Sequence, residues 1–220
     1  MNIANMNTKF IPLSVVGFQI YDVPGGILKA LRDETSEMIE NNFVNSQPYN
    51  NRLAGIIEKE FLIQKSTEIL NRYITNVAPI YWESTTHPEN SKKKHLLFKN
   101  SFGAYDVWVN FQKRGEINPI HDHTGDLSYV IYLKLPYLLE NEKNTPFAKN
   151  SNNPVLGTFN FIYPSLAVCG GVETFPLPTD KNFEGKMIVF SSSLKHMVYP
   201  FFTSKDYRIS ISGNIIISNE

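Results

Sequence analysis

The segment Asn118-Pro-Ile-His-Asp-His123, followed by the apolar run Leu127-Ser-Tyr-Val-Ile-Tyr-Leu-Lys-Leu135, is the most informative part of this sequence. Side chains alternate between the two faces of an extended strand, so His121 and His123 should project from the same face. Two imidazoles placed in this way form a ready pair of metal ligands. A third histidine, His196, follows another short apolar run further along the chain.

Short runs rich in Val, Ile, Tyr and Phe surround these histidines, and glycine-containing turns separate them. This pattern predicts a β-sandwich or barrel rather than alternating β/α units. The expected strands are 105–112, 118–123, 127–135, 158–163, 186–190, 197–202 and 207–217. A polar stretch over 137–156 interrupts them, and we expect a long functional loop there, such as a lid.

The N-terminal part has a different character. A short strand is expected over 10–20, and apolar residues at helical spacing predict a helix over about 27–44. A second apolar stripe, from Leu53 to Val77, predicts another helix that ends before Pro79. We therefore expect an α+β protein with one domain over 1–220, in which a helical part at about 24–80 packs on one sheet of a jelly-roll core at about 100–218.

Composition narrows the class of protein. The chain has 220 residues, 42% of them apolar and 19% charged, as is typical of a compact globular protein. Its formal net charge is zero, so no overall field attracts nucleic acid or an anionic membrane. The lone cysteine, Cys169, excludes an intramolecular disulfide framework. The sequence shows neither a secretion signal nor an apolar run of about 18 residues, which predicts a cytoplasmic protein without a membrane partner.

The three histidines suit a mononuclear metal site. Three imidazole nitrogens on one side of an ion leave positions open for a chelating cosubstrate and dioxygen. A carboxylate often supplies the third ligand in such sites, and Asp122 and Asp126 are the candidates here. Strand alternation points Asp122 to the opposite face, and Asp126 lies beyond Gly125. We therefore place His123 in the third position and keep Asp126 as the alternative.

Arg208 is the second unusual residue, because it lies in an otherwise apolar predicted strand. A guanidinium is costly to bury unless an anion accompanies it. Its planar fork binds a carboxylate bidentately, and Ser210 shares its strand face and can add a hydroxyl donor. A dicarboxylate such as 2-oxoglutarate fits this arrangement. The alternative is an internal salt bridge between Arg208 and a protein carboxylate.

Taken together, these elements resemble the 2-oxoglutarate/Fe(II)-dependent dioxygenase superfamily. More narrowly, they resemble the oxygenases of bacteriophage and marine bacterial genomes, which carry His-x-His where prolyl hydroxylases have His-x-Asp. The matching elements are Trp108-Val-Asn110, His121-Asp-His123, 127–133, 185–190, His196 and Arg208-Ile-Ser210, and segment 53–60 is similar to the helical part of that group. Tyr129 replaces a glycine that is frequent in the family, which predicts a narrower pocket.

The resemblance implies a double-stranded β-helix and the hydroxylation of an unidentified substrate, with release of succinate and carbon dioxide. Fe(II) would be held by His121, His123 and His196, with no catalytic residue beyond these ligands. The cosubstrate 2-oxoglutarate would be held by Arg208, Ser210, Asn110 and Tyr132. Two other classes stay open: a cupin-like three-histidine metalloenzyme without 2-oxoglutarate, and a non-enzymatic jelly-roll binding or structural protein.

Overall fold

The computed structural model describes residues 17–85, 100–165 and 170–219. Within these ranges the strands are β1 Phe18–Asp22, β2 Glu60–Leu62, β3 Asn100–Gln112, β4 Asn118–His121, β5 Leu127–Lys134, β6 Phe159–Pro164, β7 Val172–Leu177, β8 Lys186–Ser191, β9 His196–Val198 and β10 Arg208–Asn219. The helices are α1 Gly25–Glu40, α2 Thr67–Thr85 and α3 Leu139–Lys143, with short 3-10 helices at Asn50–Arg52 and Lys181–Phe183.

The strands form two antiparallel sheets. The larger sheet has the order β1-β8-β5-β10-β3-β2, and the smaller has the order β4-β9-β6-β7. From β3 onward the chain passes repeatedly from one sheet to the other. In chain order, β4 and β9 of the small sheet each come between two strands of the large sheet. The expected α+β class, with two antiparallel sheets and few helices, is confirmed, and the arrangement is jelly-roll-like.

Two apolar cores lie on the two faces of the large sheet. The first joins α1 and α2 to the sheet through fully buried side chains such as Leu31, Leu70 and Ile131. The second fills the space between the sheets and includes Phe159 and Phe190. Each buried aliphatic or phenyl side chain contributes about 1.5–3 kcal/mol relative to an exposed one. The helices therefore cover one sheet face and leave the other for the site.

Strand β10 separates these two environments by simple alternation. Ile209, Ile211 and Ile215 belong to the core beneath the helices. Arg208 and Ser210, on the opposite face, line a cavity between the sheets. The apolar face of the strand packs into the core beneath the helices, while its polar face is directed at the site.

The prediction of a helix beginning near Leu53 is wrong. Residues 53–66 contain an isolated bridge and β2 instead, and α2 begins at Thr67. The carboxylate of buried Glu34 explains this start, because it accepts the N–H groups of residues 64, 65 and 66 at 2.8–2.9 Å. The helix also continues through Pro79, which removes only one backbone donor, to Thr85. Segment 53–60 is therefore not helical, and residues 10–16 of the first predicted strand lie outside the described residues.

Tyr129 does not narrow the pocket. It is fully buried on the helix side of β5 and lies directly opposite Gly213 of β10. A β-carbon at Gly213 would stand only 2.3 Å from the Tyr129 hydroxyl oxygen. The large side chain is therefore accommodated by a glycine on the neighbouring strand, away from the cavity.

Two further elements differ from the expectation. Segment 137–156 contains the short helix α3 and a series of turns rather than only loop. Strand β7 was not predicted, because polar residues and Pro176 interrupt its apolar pattern. It is an edge strand of the small sheet, where a proline is tolerated.

Candidate metal centre

Three histidine side chains converge in the space between the sheets. His121 ends β4 and lies directly opposite His196, the first residue of β9. His123 follows two residues later, and its Nε2 atom lies 3.2 Å from Nε2 of His196. One ligand nitrogen from each ring lies within 4.8 Å of the other two. The structure therefore brings together the three histidines that strand alternation and the apolar runs had singled out.

Backbone carbonyls orient two of these rings. Nδ1 of His121 lies 2.7 Å from the carbonyl oxygen of Pro119, and Nδ1 of His196 lies 2.9 Å from that of Leu194. A carbonyl oxygen can only accept, so Nδ1 carries the proton and Nε2 keeps its lone pair. This is the tautomer that a metal-ligating histidine needs when it binds through Nε2.

Burial keeps the three imidazoles neutral at physiological pH. It lowers the pKa of His121, lowers the pKa of His123 to about 4, and holds the pKa of His196 well below the usual value. Buried Phe159 stacks on His196, with ring centroids 5.0 Å apart. Neutral imidazoles are the form that can coordinate a metal.

The carboxylates near this cluster are engaged elsewhere. Asp122 points to solvent, where it pairs with Lys195 at 2.8 Å. Asp126 accepts a hydrogen bond of 2.8 Å from the backbone N–H of Ile217. Over 17–85, 100–165 and 170–219, the cluster of possible metal ligands consists of histidines alone.

Arg208 lines the same cavity as the histidines, and only 2% of its surface is exposed. Its Nη1 group donates a hydrogen bond of 3.2 Å to the hydroxyl of Tyr137, which itself donates to the carbonyl oxygen of Gly157 at 2.7 Å. Among the described residues, no carboxylate forms an ion pair with Arg208. An isolated buried guanidinium is unfavourable, so the arrangement favours an anionic ligand.

The other predicted cosubstrate residues lie beside Arg208. Ser210 stands opposite Asn110 on one side and Tyr132 on the other. The Tyr132 ring centroid is 5.6 Å from the guanidinium carbon of Arg208. The side-chain oxygen of Asn110 and the hydroxyl of Tyr132 are buried and make no hydrogen bond within the described part of the chain. Burial raises the pKa of Tyr132, so its hydroxyl stays protonated and available as a donor.

Some cavity residues were missed by the sequence reasoning. Gln112 and Ser212 could have been found, because they continue the alternation of Asn110 and Ser210. Tyr137, which contacts Arg208 rather than lining the cavity, could not have been found, since its role depends on how the chain folds after β5. The remaining lining residues are Ile57, Trp108, Asn118, Val130, Phe159 and Val198.

One family model matches just under half of this chain. Residues 106–214 match the family model described as "Putative 2OG-Fe(II) oxygenase". This range contains the three histidines, Arg208 and Ser210. No curated protein sequence matches the chain significantly. Within the described residues, the structure contains no helix that is both long enough and apolar enough to cross a bilayer.

Several solved structures are distantly similar. A prolyl-4-hydroxylase from Pseudomonas putida shares 14% identity at a TM-score of 0.49, over 90% of this chain and 91% of that one. An oxidoreductase of the 2OG-Fe(II) oxygenase family from Burkholderia pseudomallei shares 15% identity at a TM-score of 0.40, over 71% of this chain and 58% of that one. The non-heme alpha ketoglutarate dependent epimerase SnoN, from nogalamycin biosynthesis, shares 10% identity at a TM-score of 0.43, over 93% of this chain and 78% of that one. At these scores the likeness bears on neither activity nor substrate.

Proposed function

We propose that this protein is an Fe(II)/2-oxoglutarate-dependent dioxygenase that hydroxylates an unidentified substrate and releases succinate and carbon dioxide. One observation carries the proposal: a single cavity contains three neutral imidazoles and a buried guanidinium without a protein anion among the described residues. The imidazoles suit a metal ion, and the guanidinium suits a carboxylate. A dicarboxylic keto acid that also chelates a metal satisfies both.

His121, His123 and His196 would hold the iron. The fit rests on the donor set, since three neutral nitrogens within 4.8 Å of one another match the needs of a divalent transition metal. Bound iron and 2-oxoglutarate would supply the redox chemistry of oxygen activation. The carbonyl oxygens of Pro119 and Leu194 keep the rings of His121 and His196 in the required tautomer.

Arg208 would bind the carboxylate of 2-oxoglutarate that lies away from the metal. Tyr137 orients the guanidinium, because its hydroxyl accepts from Nη1 while it donates to a backbone carbonyl. Ser210, Asn110 and Tyr132 would add hydrogen bonds from the neighbouring strands. The buried cavity walls shield these contacts from water, which strengthens a charge-assisted hydrogen bond.

The strand order supports a finer description of the fold. Strands β3, β5, β8 and β10 lie together in the large sheet, and β4, β6, β7 and β9 form the small one. We propose that these eight strands are the double-stranded β-helix of the oxygenase superfamily, within a single domain over 1–220. The His-x-His motif is the reason for relating the chain to the phage and marine bacterial group, and a reducing cytoplasm would keep its iron ferrous.

A cupin-like metalloenzyme without 2-oxoglutarate is the second candidate, because its ligands are also three histidines. Arg208 distinguishes the two, since that enzyme has no need of a buried guanidinium without an anionic partner. The convergence of the three histidines on one point also disfavours a purely structural jelly-roll module.

The decisive test is uncoupled turnover, because the substrate is unknown. Protein loaded with Fe(II) anaerobically would be mixed with 2-oxoglutarate and oxygen, and succinate release would be followed. The wild type should form succinate slowly, and His196→Ala should form none. Ser193→Ala, an exposed change three residues away, is the matched control and should behave like the wild type. Failure of iron-loaded wild type to bind or consume 2-oxoglutarate would favour the cupin-like enzyme.

A further inference from the structure

A chain of buried polar side chains lies between strands next to the histidine cluster. Ser128 of β5, Asn214 of β10 and Ser192 in the turn after β8 are 2%, 5% and 0% exposed. The hydroxyl oxygens of Ser128 and Ser192 are 2.8 Å apart, and the Ser128 oxygen is 2.9 Å from Oδ1 of Asn214. Apolar residues would fill this region without the desolvation that buried hydroxyls and amides require. The polar chain therefore calls for an explanation other than core packing.

The direction of the hydrogen bonds in this chain is determined. Oδ1 of Asn214 can only accept, so the single hydroxyl hydrogen of Ser128 must point towards it. The Ser192 hydroxyl must then donate to Ser128, since the Ser128 hydrogen is already used. Ser192 is thus fixed to two strands of the large sheet in one rotamer.

The backbone of Ser192 connects these hydrogen-bonded side chains to the segments that carry the metal ligands. Its carbonyl oxygen accepts a hydrogen bond of 3.0 Å from the backbone N–H of His123, and its own N–H donates to the carbonyl oxygen of Asp126 at 3.1 Å. The same turn leads into His196, and Leu194, whose carbonyl oxygen orients the His196 ring, lies two residues beyond Ser192. Ser192 therefore contacts the segment of one ligand and begins the segment of another.

His123 depends on this connection more than the other two ligands do. Nδ1 of His121 and Nδ1 of His196 each lie against a backbone carbonyl, whereas within the described residues Nδ1 of His123 makes no such bond. The backbone hydrogen bond to Ser192 holds His123 itself beside the β8–β9 turn, and the ion pair between Asp122 and Lys195 joins the same two segments at the surface. A shift of that turn would change the distance between the nitrogens of His123 and His196.

We propose that Ser192, fixed by Ser128 and Asn214, is a positioning residue that sets the separation of His123 and His196 for metal binding. The inference rests on the proposed metal site. It predicts that removing either serine hydroxyl weakens and distorts the site, even though neither hydroxyl touches the metal. Groups that hydrogen-bond directly to ligand side chains typically change metal affinity by about 10–100-fold, and Ser192 acts one step further away, through the backbone of His123.

The test uses metal-free protein titrated with Co(II), whose visible absorption reports the number and geometry of its ligands. Ser192→Ala and Ser128→Ala should each raise the dissociation constant for Co(II) by about tenfold, the lower end of that range, and alter the Co(II) spectrum. Ser128→Thr, which keeps the hydroxyl on a β-strand, should recover most of the affinity. Ser193→Ala is the matched control, since the Ser193 side chain is exposed and bonds only to Ser191 among the described residues.

The outcomes separate the possible explanations. An unchanged Co(II) spectrum and affinity in folded Ser192→Ala and Ser128→Ala would overturn the proposal. If only their thermal midpoints fell, the hydrogen bonds among Ser128, Ser192 and Asn214 would serve stability alone. If Ser192→Ala does not fold, Ser128→Ala decides alone, since Ser128 lies in β5 and its replacement leaves the sequence of the β8–β9 turn unchanged. If the wild type and His196→Ala bind Co(II) equally, the metal site itself is wrong, which is a distinct result.

Discussion

Replacing Arg208 by methionine should stabilise the ligand-free protein and at the same time weaken its binding of 2-oxoglutarate. The two effects have opposite signs because Arg208 is 2% exposed and has no carboxylate partner among the described residues. Methionine keeps much of the length and volume of the side chain but carries no charge to desolvate. An arginine held in a protein salt bridge would give the reverse effect on stability.

The size of the stability gain follows from the surroundings of Arg208. Replacing a buried ion pair by well-packed apolar side chains is often neutral or stabilising by about 1–4 kcal/mol, and an unpaired buried charge has no ion-pair attraction to lose. The lost hydrogen bond to Tyr137 and the contact with the Tyr132 ring offset part of this gain. Tyr137 is not left without a partner, since it still donates to Gly157. A net gain of about 1–2 kcal/mol would raise the thermal midpoint of a chain of this length by about 2–8 °C.

The loss in binding follows from the charge-assisted contact. Hydrogen bonds to charged groups contribute about 1.5–3 kcal/mol, which corresponds to a change of about 10- to 150-fold in the dissociation constant of 2-oxoglutarate. Arg208→Lys should recover only part of this, because an ammonium group cannot reproduce the bidentate fork. Metal affinity should hardly change, since Arg208 is not among the residues that could hold the ion.

Both quantities can be measured on the same samples. Thermal unfolding of metal-free protein gives the stability, and anaerobic calorimetric titration of the Fe(II) form gives the affinity for 2-oxoglutarate. Arg114→Met, a change at an exposed arginine, is the matched control and should leave both unchanged. A loss of about 3–5 kcal/mol in Arg208→Met, as for a broken buried ion pair, together with unchanged 2-oxoglutarate binding, would refute the reasoning.

Three further predictions concern the ligand set, the pH dependence of stability and the strand packing. His123→Asp should still bind metal and Asp126→Ala should bind it almost normally in Co(II) titrations, whereas loss of binding in Asp126→Ala alone would show that the third ligand is wrongly assigned. Burial raises the pKa of Glu60 from 4.5 to about 7. The folded protein therefore keeps its full stability below pH 4.5, where Glu60 is neutral in both states, and loses stability as the pH rises through 7. Glu60→Gln should therefore stabilise the protein by on the order of 2–3 kcal/mol in urea unfolding at pH 8 and not at pH 4.5. An equal effect at the two pH values would contradict the raised pKa of Glu60. Gly213→Ala should lower the free energy of unfolding by about 1–3 kcal/mol, because its β-carbon would stand 2.3 Å from the Tyr129 hydroxyl. An unchanged free energy of unfolding would show that the Tyr129 side chain can move away without cost.

The parts of the site that follow from local geometry could be predicted from the sequence. Alternation along a strand placed His121 and His123 on one face and Arg208 and Ser210 on one face, because the two-residue period does not depend on the rest of the fold. The large-sheet strands β3, β5, β8 and β10 were also recognisable from their runs of apolar residues, whereas the three-residue strand β2 was not. Tyr132 was selected only through the resemblance to a family, and the structure places it opposite Ser210.

The parts that depend on distant contacts could not be predicted. Residues 53–66 have the apolar spacing of a helix, yet the Glu34 carboxylate captures the backbone at 64–66 and β3 pairs with β2. The role of Ser192 is likewise invisible in a run of three serines, since it depends on Ser128 and Asn214 in other strands. Nothing in the local pattern distinguishes Ser192 from its exposed neighbour Ser193.

The most direct test of the central claim is an anaerobic titration of the Fe(II)-loaded protein with 2-oxoglutarate, followed by visible absorption. Chelation of the iron by the keto acid should produce a weak metal-to-ligand charge-transfer band that saturates in the wild type. The band should be absent in His196→Ala and should require about 10- to 150-fold more 2-oxoglutarate in Arg208→Met. If the wild type binds iron through the three histidines and shows no such band at saturating 2-oxoglutarate, the protein is not an oxygenase of this class.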